Sequence, residues 1–509
     1  MKAEVTMAIA KVLTRQHAGL NSTLVTIEID ISQGLPSFTL IGLSSAASRG
    51  IRARVRSAII NSGYHFPAKK MTLSLTPDED VNEGNNYDLP IAIAILIASG
   101  QVISRRKEGY EYYSGLSLEG SLSSCKGAIS AIIAAIGVNH CIIVPESAYI
   151  PELNFNRESI IYAQNLKQVC RYLQGELPVP ARHVKPASNT PPLLGNDLQT
   201  IAGQYYSKRA LEIAAAGGHS LLMIGPPGTG KTSLAFCLPG LLPDLTQQER
   251  LELAQVVNLT TGHIDLPLSR PFRAPHHSIT AAGLIGSIHP SSLGEITLAH
   301  QGVLFLDELL EFNRKTLDAL RTPVELGYVA LSRAKKHVIY PARFQLVAAM
   351  NLPLSYGLSD SRGCRSKYIS NKLERSISAA LTDRFQLSIE VTAPSKELMQ
   401  SKGESSLEVR NRVVIARRVQ LQRQGMENAL LSTNGISRYC AISSDDSNWL
   451  CGCLEKLSLS HRAFLHILRI ARTIADLQND TEISRTSLQE ALSYRYADRI
   501  SQYLTQLYE

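Results

Sequence analysis

A chain of 509 residues is too long for a single hydrophobic core, so two or three domains are expected. Its 44% hydrophobic and 19% charged residues exclude a disordered chain, and its eight scattered cysteines, with no CxxC pair, exclude a disulfide framework and imply a reducing compartment. The net charge of +8 is mild for this length; it permits contact with nucleic acid without requiring it.

The N-terminus, Met1 to Val5, lacks the charged and apolar blocks of a signal peptide. The longest apolar run, Leu89–Ser99, is too short to span a bilayer. A cytoplasmic protein without a membrane anchor is expected. Residues 1–175 alternate short β-like and helical runs. Leu24–Ile31 alternates with period two and predicts a strand, as does Met71–Leu75. Ala47–Ser62 predicts a basic amphipathic helix carrying Arg49, Arg52, Arg54 and Arg56, and Tyr87–Ala98 a buried helix. Residues 176–196 contain five prolines, which fix φ and remove amide donors, so this stretch reads as a linker. An αβ pattern follows over 197–392, and 393–509 is helical in pattern. Phe464, Ile467, Leu468, Ala471, Ile474 and Leu477 form one apolar stripe at helical spacing. Ser487 and Glu490 have the spacing of a capping box for the last helix.

The chemistry concentrates in the middle zone. Leu221–Ile224 is a short apolar strand running into Gly225-Pro226-Pro227-Gly228-Thr229-Gly230-Lys231-Thr232, a complete GxxxxGK[ST], and Ser233–Leu238 is helix-like. Glycines let backbone N–H groups close on phosphates, and the helix N-terminus adds positive potential. Lys231 is expected to reach the β- and γ-phosphates of ATP, and Thr232 to ligate Mg²⁺. Val303–Leu306 predicts a second buried strand ending at Asp307-Glu308. Asp307 is placed to help hold Mg²⁺, and Glu308 to polarise the attacking water. A third strand, Phe344–Ala349, leads to Asn351, placed to orient that water. Arg384, in Leu381-Thr-Asp-Arg-Phe385, is a candidate for action in trans on a neighbour's γ-phosphate. Arg462, at the head of the striped helix, is a candidate for a phosphate contact from a lid. Arg333, Lys335 and Lys336 lie between two strand-like runs, Tyr328–Leu331 and Val338–Tyr340, and read as the cationic tip of a hairpin; a solvated turn is the plain alternative. His276 and His277 could form a metal pair, but adjacent imidazoles splay in most backbones, so packing or a phosphate contact is the favoured reading.

These motifs, in this order, resemble the AAA+ ATPases. Arg209–His219, Arg270–His277, Gly294–His300, Val329–Ala334 and Pro341–Leu346 narrow the resemblance to the magnesium-chelatase-like AAA+ proteins, and within them to the ComM (YifB) branch. Gly34–Phe38, Arg54–Ala58 and Asp88–Ala92 are similar to the same branch. The resemblance implies an N-terminal Lon-protease-like α/β domain over 1–175, an AAA+ P-loop core over 197–392 and a helical lid over 393–509. It also implies a hexameric ring motor that moves DNA, a helicase promoting branch migration during integration of transforming DNA, with recombination proteins as possible partners. In such motors the cationic hairpin points into the ring pore, and the insertion near Ile279–Ile296 forms a second pore loop.

Two departures from the family pattern qualify these expectations. Relatives carry a cysteine-rich stretch after the third strand; here only Cys364 stands nearby, and one thiolate cannot supply four tetrahedral ligands, so no zinc is expected. In the Lon-like domain the nucleophilic serine's place is taken by Asn86 and the lysine's by Ile129, with Lys126 shifted along the chain. An amide and an alkyl chain cannot form a Ser–Lys dyad. The alternatives to a DNA motor are an ATP-dependent protease and a chelatase-type remodelling motor; the substituted dyad disfavours the first and the Lon-like domain the second.

Overall fold

Period-two alternation of apolar residues builds the first sheet. The computed structural model describes residues 8–77, 84–105, 109–149, 159–176, 195–264, 266–287, 292–333, 336–351, 379–393 and 403–495. The chain divides into two units, the first being Met1–Thr190 with Thr246–Pro267 and Ala330–Tyr340, and the second the remainder.

In the first unit, β1 (Ala8–Ala18) pairs antiparallel with β2 (Asn21–Ser32) along its whole length, from Ala8 opposite Ile31 to Ala18 opposite Asn21. Gly19 takes φ +66° at the tight turn, where a side chain would be strained. Val25, Ile27, Ile29 and Ile31 bury one face of β2. The remaining strands are β3 (Ser37–Ile41), β4 (Lys70–Thr76), β5 (Tyr110–Tyr112), β8 (Cys141–Pro145) and β9 (Ile160–Ala163), with a small hairpin of β6 (Gly115–Leu116) and β7 (Leu122–Ser123). The seven-stranded order is β3-β4-β2-β1-β5-β8-β9. Helix Asp88–Ala98 is buried on nearly every side, which accounts for its uniformly apolar sequence. Arg15 and Glu111 are both buried and meet through two hydrogen bonds of 2.5 and 2.8 Å, and His140 Nδ1 lies 2.7 Å from the same carboxylate. The distant helix Gln247–Thr261 also belongs to this unit: Asn258 Nδ2 donates to Cys125 O at 3.2 Å, and Ala254 packs against Ile129.

The second unit is built on five parallel strands: β10 (Leu221–Gly225), β11 (Phe272–Arg273), β14 (Val303–Leu306), β17 (Gln345–Asn351) and β18 (Leu387–Glu390). Their order is β11-β14-β17-β10-β18. Their continuous apolar runs fit strands covered on both faces. A short hairpin, β12 (Gly286–Ser287) with β13 (Ser292–Leu293), interrupts the path from β11 to β14. Further on, β15 (Tyr328–Arg333) is followed by β16 (Lys336–Pro341) as a two-stranded ribbon.

The C-terminal segment is helical: Ser406–Gln424, Thr433–Tyr439, Ser444–Lys456, His461–Gln478 and Arg485–Ser493. Of the predicted stripe, Ile467, Leu468, Ala471 and Ile474 are buried, and Phe464 and Leu477 pack partly buried against them. The expected capping box at Ser487–Glu490 is corrected. The last helix starts at Arg485, capped by Ser484, whose side chain accepts from Ser487 N. Glu490 is instead drawn to Arg209 Nε at 2.9 Å. Complete capping boxes stand at Thr246–Glu249 and Ser405–Glu408.

Candidate nucleotide site

The parallel sheet fixes where ligand chemistry can lie, because helices and loops leave the carboxyl ends of the strands open. β10 ends at Gly225, and the loop continues into helix Lys231–Leu241. Gly228 and Gly230 have φ of +80° and +86°, and a Cβ at Gly228 would meet nothing within 4 Å, so the loop borders open space there. At Gly225 the reason for glycine differs: a Cβ would lie 2.2 Å from Val391 O. Gln204 fastens the loop from outside, its Nε2 donating to Thr229 O at 2.7 Å. It is itself left-handed, with φ +51°, and nothing in its sequence context singles it out.

Lys231 is buried, and its ammonium donates to Gly225 O at 3.0 Å and Pro226 O at 2.7 Å. Burial lowers its pKa, and the charge of Asp307 opposes that shift. Thr232 Oγ1 donates to Asp307 Oδ2 at 2.8 Å. A hydroxyl and a carboxylate side by side are the hard oxygen donors that Mg²⁺ takes, so Thr232 and, through the water shell, Asp307 would hold that ion. When bound, that ion supplies charge neutralisation to phosphate oxygens.

Glu308 follows directly, with φ +52° and ψ +50°. For a residue with a Cβ that conformation costs about 1–2 kcal/mol. Its N–H donates to Asp307 Oδ1 at 2.9 Å, and its half-exposed carboxylate lies 3.5 Å from His277 Nδ1. Asn351 is the last residue of β17 and pairs in register with Gly225. The sheet thus brings Gly225–Thr232, Asp307, Glu308 and Asn351 to one edge.

Arg384 stands at the other edge. Ser220 Oγ donates to Arg384 O at 2.8 Å, so this residue lies beside the start of β10. From Ser220 to Gly225 the strand advances about 16 Å, more than an arginine side chain spans. Arg384 Nη2 lies 3.0 Å from Glu325 Oε1, and Arg462 Nη2 pairs with the same oxygen. Both arginines are therefore gathered on one carboxylate, away from the P-loop. Burial pushes the Glu325 carboxyl up, but hydrogen bonding to Arg462 and the charge of Arg384 outweigh it and hold it below its ordinary value. Glu325 escaped sequence reading because it sits 137 positions from Arg462 and belongs to no motif.

Lys335 lies outside the described residues, and Arg333 and Lys336 are described only as backbone of β15 and β16. Part of the ribbon belongs to the first unit: a Cβ at Gly19 would approach Ile339 O to 2.6 Å. Cys364 and the loop in which no zinc is expected also lie outside the described residues. Among the described residues no cluster of three His, Cys, Asp or Glu side chains is arranged for a metal ion, and the His276 and His277 rings lie with centroids 4.0 Å apart, tilted by 35°. No described helix is long and apolar enough to cross a membrane.

A P-loop, an acidic pair and a polar strand end on a parallel sheet, with a helical C-terminal segment, define an AAA+-type nucleotide-binding fold. Three family models carry the reading further: magnesium chelatase, subunit ChlI, over residues 197–399; subunit ChlI of Mg-chelatase over 27–148; and its C-terminal part over 403–495. The YifB protein of Escherichia coli (strain K12) is 44% identical over 507 residues, covering 98% of this chain and 100% of that one. The competence protein ComM of Haemophilus influenzae is 42% identical over 516 residues, with the same coverage. The Rv2897c protein of Mycobacterium tuberculosis is 35% identical over 505 residues, covering 96% of this chain and 99% of its own. The chain belongs to the ComM/YifB family of magnesium-chelatase-like proteins.

Proposed function

We propose that this chain is an ATP-hydrolysing motor that assembles as a homo-hexamer and moves on DNA, promoting branch migration when transforming DNA is integrated. The observation that carries this is the division of charged and polar groups between the two ends of the strands of one sheet. Lys231, Thr232, Asp307, Glu308 and Asn351 share the carboxyl edge, while Arg384 and Arg462 share Glu325 at the other. Such an arrangement suits a site completed between copies: ATP and Mg²⁺ are held by one subunit, and the arginine pair of the next stabilises charge on the γ-phosphate. In this reading Lys231 binds the phosphates, Thr232 and Asp307 hold Mg²⁺, Glu308 polarises the attacking water and Asn351 orients it. DNA as the substrate is supported by the kinship with a competence protein and by the run Arg333–His337.

A peptidase role for the N-terminal domain is disfavoured. Asn86 is buried and donates to Arg15 O at 3.2 Å, and Ile129 is buried in an apolar cluster. Neither offers a nucleophile or a base. ATP-dependent unwinding of three-stranded DNA, measured beside a Lys231→Ala control, tests the proposal. ATP hydrolysis without strand displacement would favour a chelatase-type remodelling motor instead.

A further inference from the structure

After Pro191 the chain returns twice from the second unit to the first. One return is Thr246–Pro267, which contains helix Gln247–Thr261; the other is Ala330–Tyr340, which contains most of the β15–β16 ribbon. Residues 242–245 alone separate the first return from helix Lys231–Leu241, which opens with the P-loop lysine.

Within the first unit a continuous set of contacts joins the two returns. It starts at the loop of residues 124–127, which leads from β7 into helix Ala128–Gly137. Buried Asn258 donates through Nδ2 to Cys125 O at 3.2 Å, and Ser124 Oγ donates to Gly262 O at 2.8 Å. Tyr113, also buried, pins the loop by donating its hydroxyl to Lys126 O at 2.6 Å. The loop then meets the tip of the β1–β2 hairpin: Gly127 takes φ +81°, and a Cβ there would lie 2.8 Å from the Cβ of His17. Two residues further, a Cβ at Gly19 would lie 2.6 Å from Ile339 O and 2.9 Å from Val338 Cγ1 of the ribbon. These contacts set backbone against backbone or against the base of a side chain. They leave little slack, and elements packed in this way shift as blocks rather than deform. The same stretch holds the place where the family resemblance puts a protease lysine. Here that residue is Ile129, packed on Ala254 of the first return.

We propose that the N-terminal domain is a transmission: loop 124–127 and the β1–β2 tip carry the nucleotide-dependent position of helix Gln247–Thr261 to the β15–β16 ribbon, and so set the ribbon's hold on DNA. This rests on the reading of the chain as a motor whose ribbon contacts DNA. A packed route transmits only when ligands bias both of its ends. Nucleotide acts at one end, through the chain connection to the P-loop helix, and DNA acts at the other. By linkage, ATP changes DNA affinity by the factor by which DNA changes ATP affinity.

The experiment measures the affinity of the full chain for a labelled DNA strand by anisotropy, once with ADP and once with a non-hydrolysable ATP analogue. The ratio of the two affinities in the native chain is expected within about 5- to 150-fold, the range of allosteric coupling. Asn258→Ala cuts the route at the helix, and Gly19→Ala strains it at the ribbon. Ser124→Ala removes one part-buried hydrogen bond and guards against a folding defect in the other two. The ratio is expected to fall toward one, by about two- to thirty-fold, in Asn258→Ala and Gly19→Ala, and by less in Ser124→Ala, while basal ATP hydrolysis stays near native. The double variant Asn258→Ala with Gly19→Ala falls no further than the worse single one, because both act on one route. A seam that merely holds the fold together lowers the thermal midpoint in these variants and leaves the ratio native. Native ratios in all three single variants, or a ratio of one in the native chain, overturn the transmission and leave the ribbon reading standing. Absence of DNA binding by the native chain removes that reading, and the transmission with it.

Discussion

At the scale of single residues, the proposed roles separate binding from chemistry. Lys231 already sits among loop carbonyls that share the task of holding a cation, so its alanine variant loses the charge without leaving a buried charge unpaired. ATP affinity, read by titration with a fluorescent nucleotide, is expected to fall about 10- to 100-fold, the scale of a charged hydrogen bond. Glu308 is different. Its half-exposed carboxylate contributes little to binding, so Glu308→Gln is expected to bind ATP at near-native affinity while hydrolysis drops about 10²–10⁴-fold. Single-turnover assays separate the two. Retained turnover in the glutamine variant would assign the base elsewhere.

At the scale of elements, Glu325 and His219 show what a sequence conceals. The strands Leu221–Gly225 and Val303–Leu306, with the glycine loop and the acidic pair that follow them, were legible because each is a contiguous run at fixed spacing. The helix His461–Gln478 was legible from its stripe alone. Glu325 and the contact of His277 with Glu308 were not, because the partners arrive from distant segments and no local pattern announces the meeting. For the same reason the tie of Gln247–Thr261 to the first unit, through Asn258 and Ala254, has no local signature. Glu325 is 42% exposed, so Glu325→Ala should change stability by no more than about 1 kcal/mol, read from denaturant midpoints. It should nevertheless lower ATPase activity of the assembled protein as Arg384→Ala does, since both arginines lose their common anchor. Mixing Arg384→Ala with Lys231→Ala subunits should restore activity if the arginine serves its neighbour; a mixture no better than its parts would count against action in trans.

His219 joins the start of the P-loop strand to the helical segment: its ring nitrogens lie 2.5 Å from Gln386 Oε1 and 2.8 Å from Thr473 Oγ1. Burial, only partly opposed by the hydrogen bond to Gln386, pushes its pKa down to about 3. The unfolded chain takes up a proton near pH 6.5, so between pH 6.5 and 3 the unfolded state binds more protons than the folded one. Stability is therefore full above pH 6.5 and falls as the pH drops through that window, by about 2 kcal/mol at pH 5 from this residue. His466, in the same unit and pushed by burial to about 2, acts in the same direction, as His17, pushed to about 4, does in the first unit. The second unit's thermal midpoint should thus fall between pH 7 and pH 5, and His219→Gln should lessen that fall. An equal pH response in the variant would place the titration on other groups.

At the scale of the whole molecule, the proposed motor must convert hydrolysis into force on a polyanion. The net charge of +8 is too small and too widely spread to grip DNA by itself, so contacts must be local. The run Arg333-Ala334-Lys335-Lys336-His337 offers the needed density of cations, with Arg333 ending β15 and Lys336 opening β16. Phosphate contacts release counterions, so each one adds about one unit to the slope of log affinity against log salt. Replacing Lys335 and Lys336 together by alanine should flatten that slope by about two units and weaken binding by a similar factor on unrelated sequences. Basal ATP hydrolysis should persist, because neither residue belongs to the nucleotide site, whereas its stimulation by DNA should fall. Fluorescence anisotropy over a salt series measures the first effect and coupled ATPase assays the second. A slope that stayed at the native value would move the DNA contact off the ribbon, and the exposed arginines of helix Ser45–Asn61, Arg49, Arg52 and Arg56, would then be the next surface to replace.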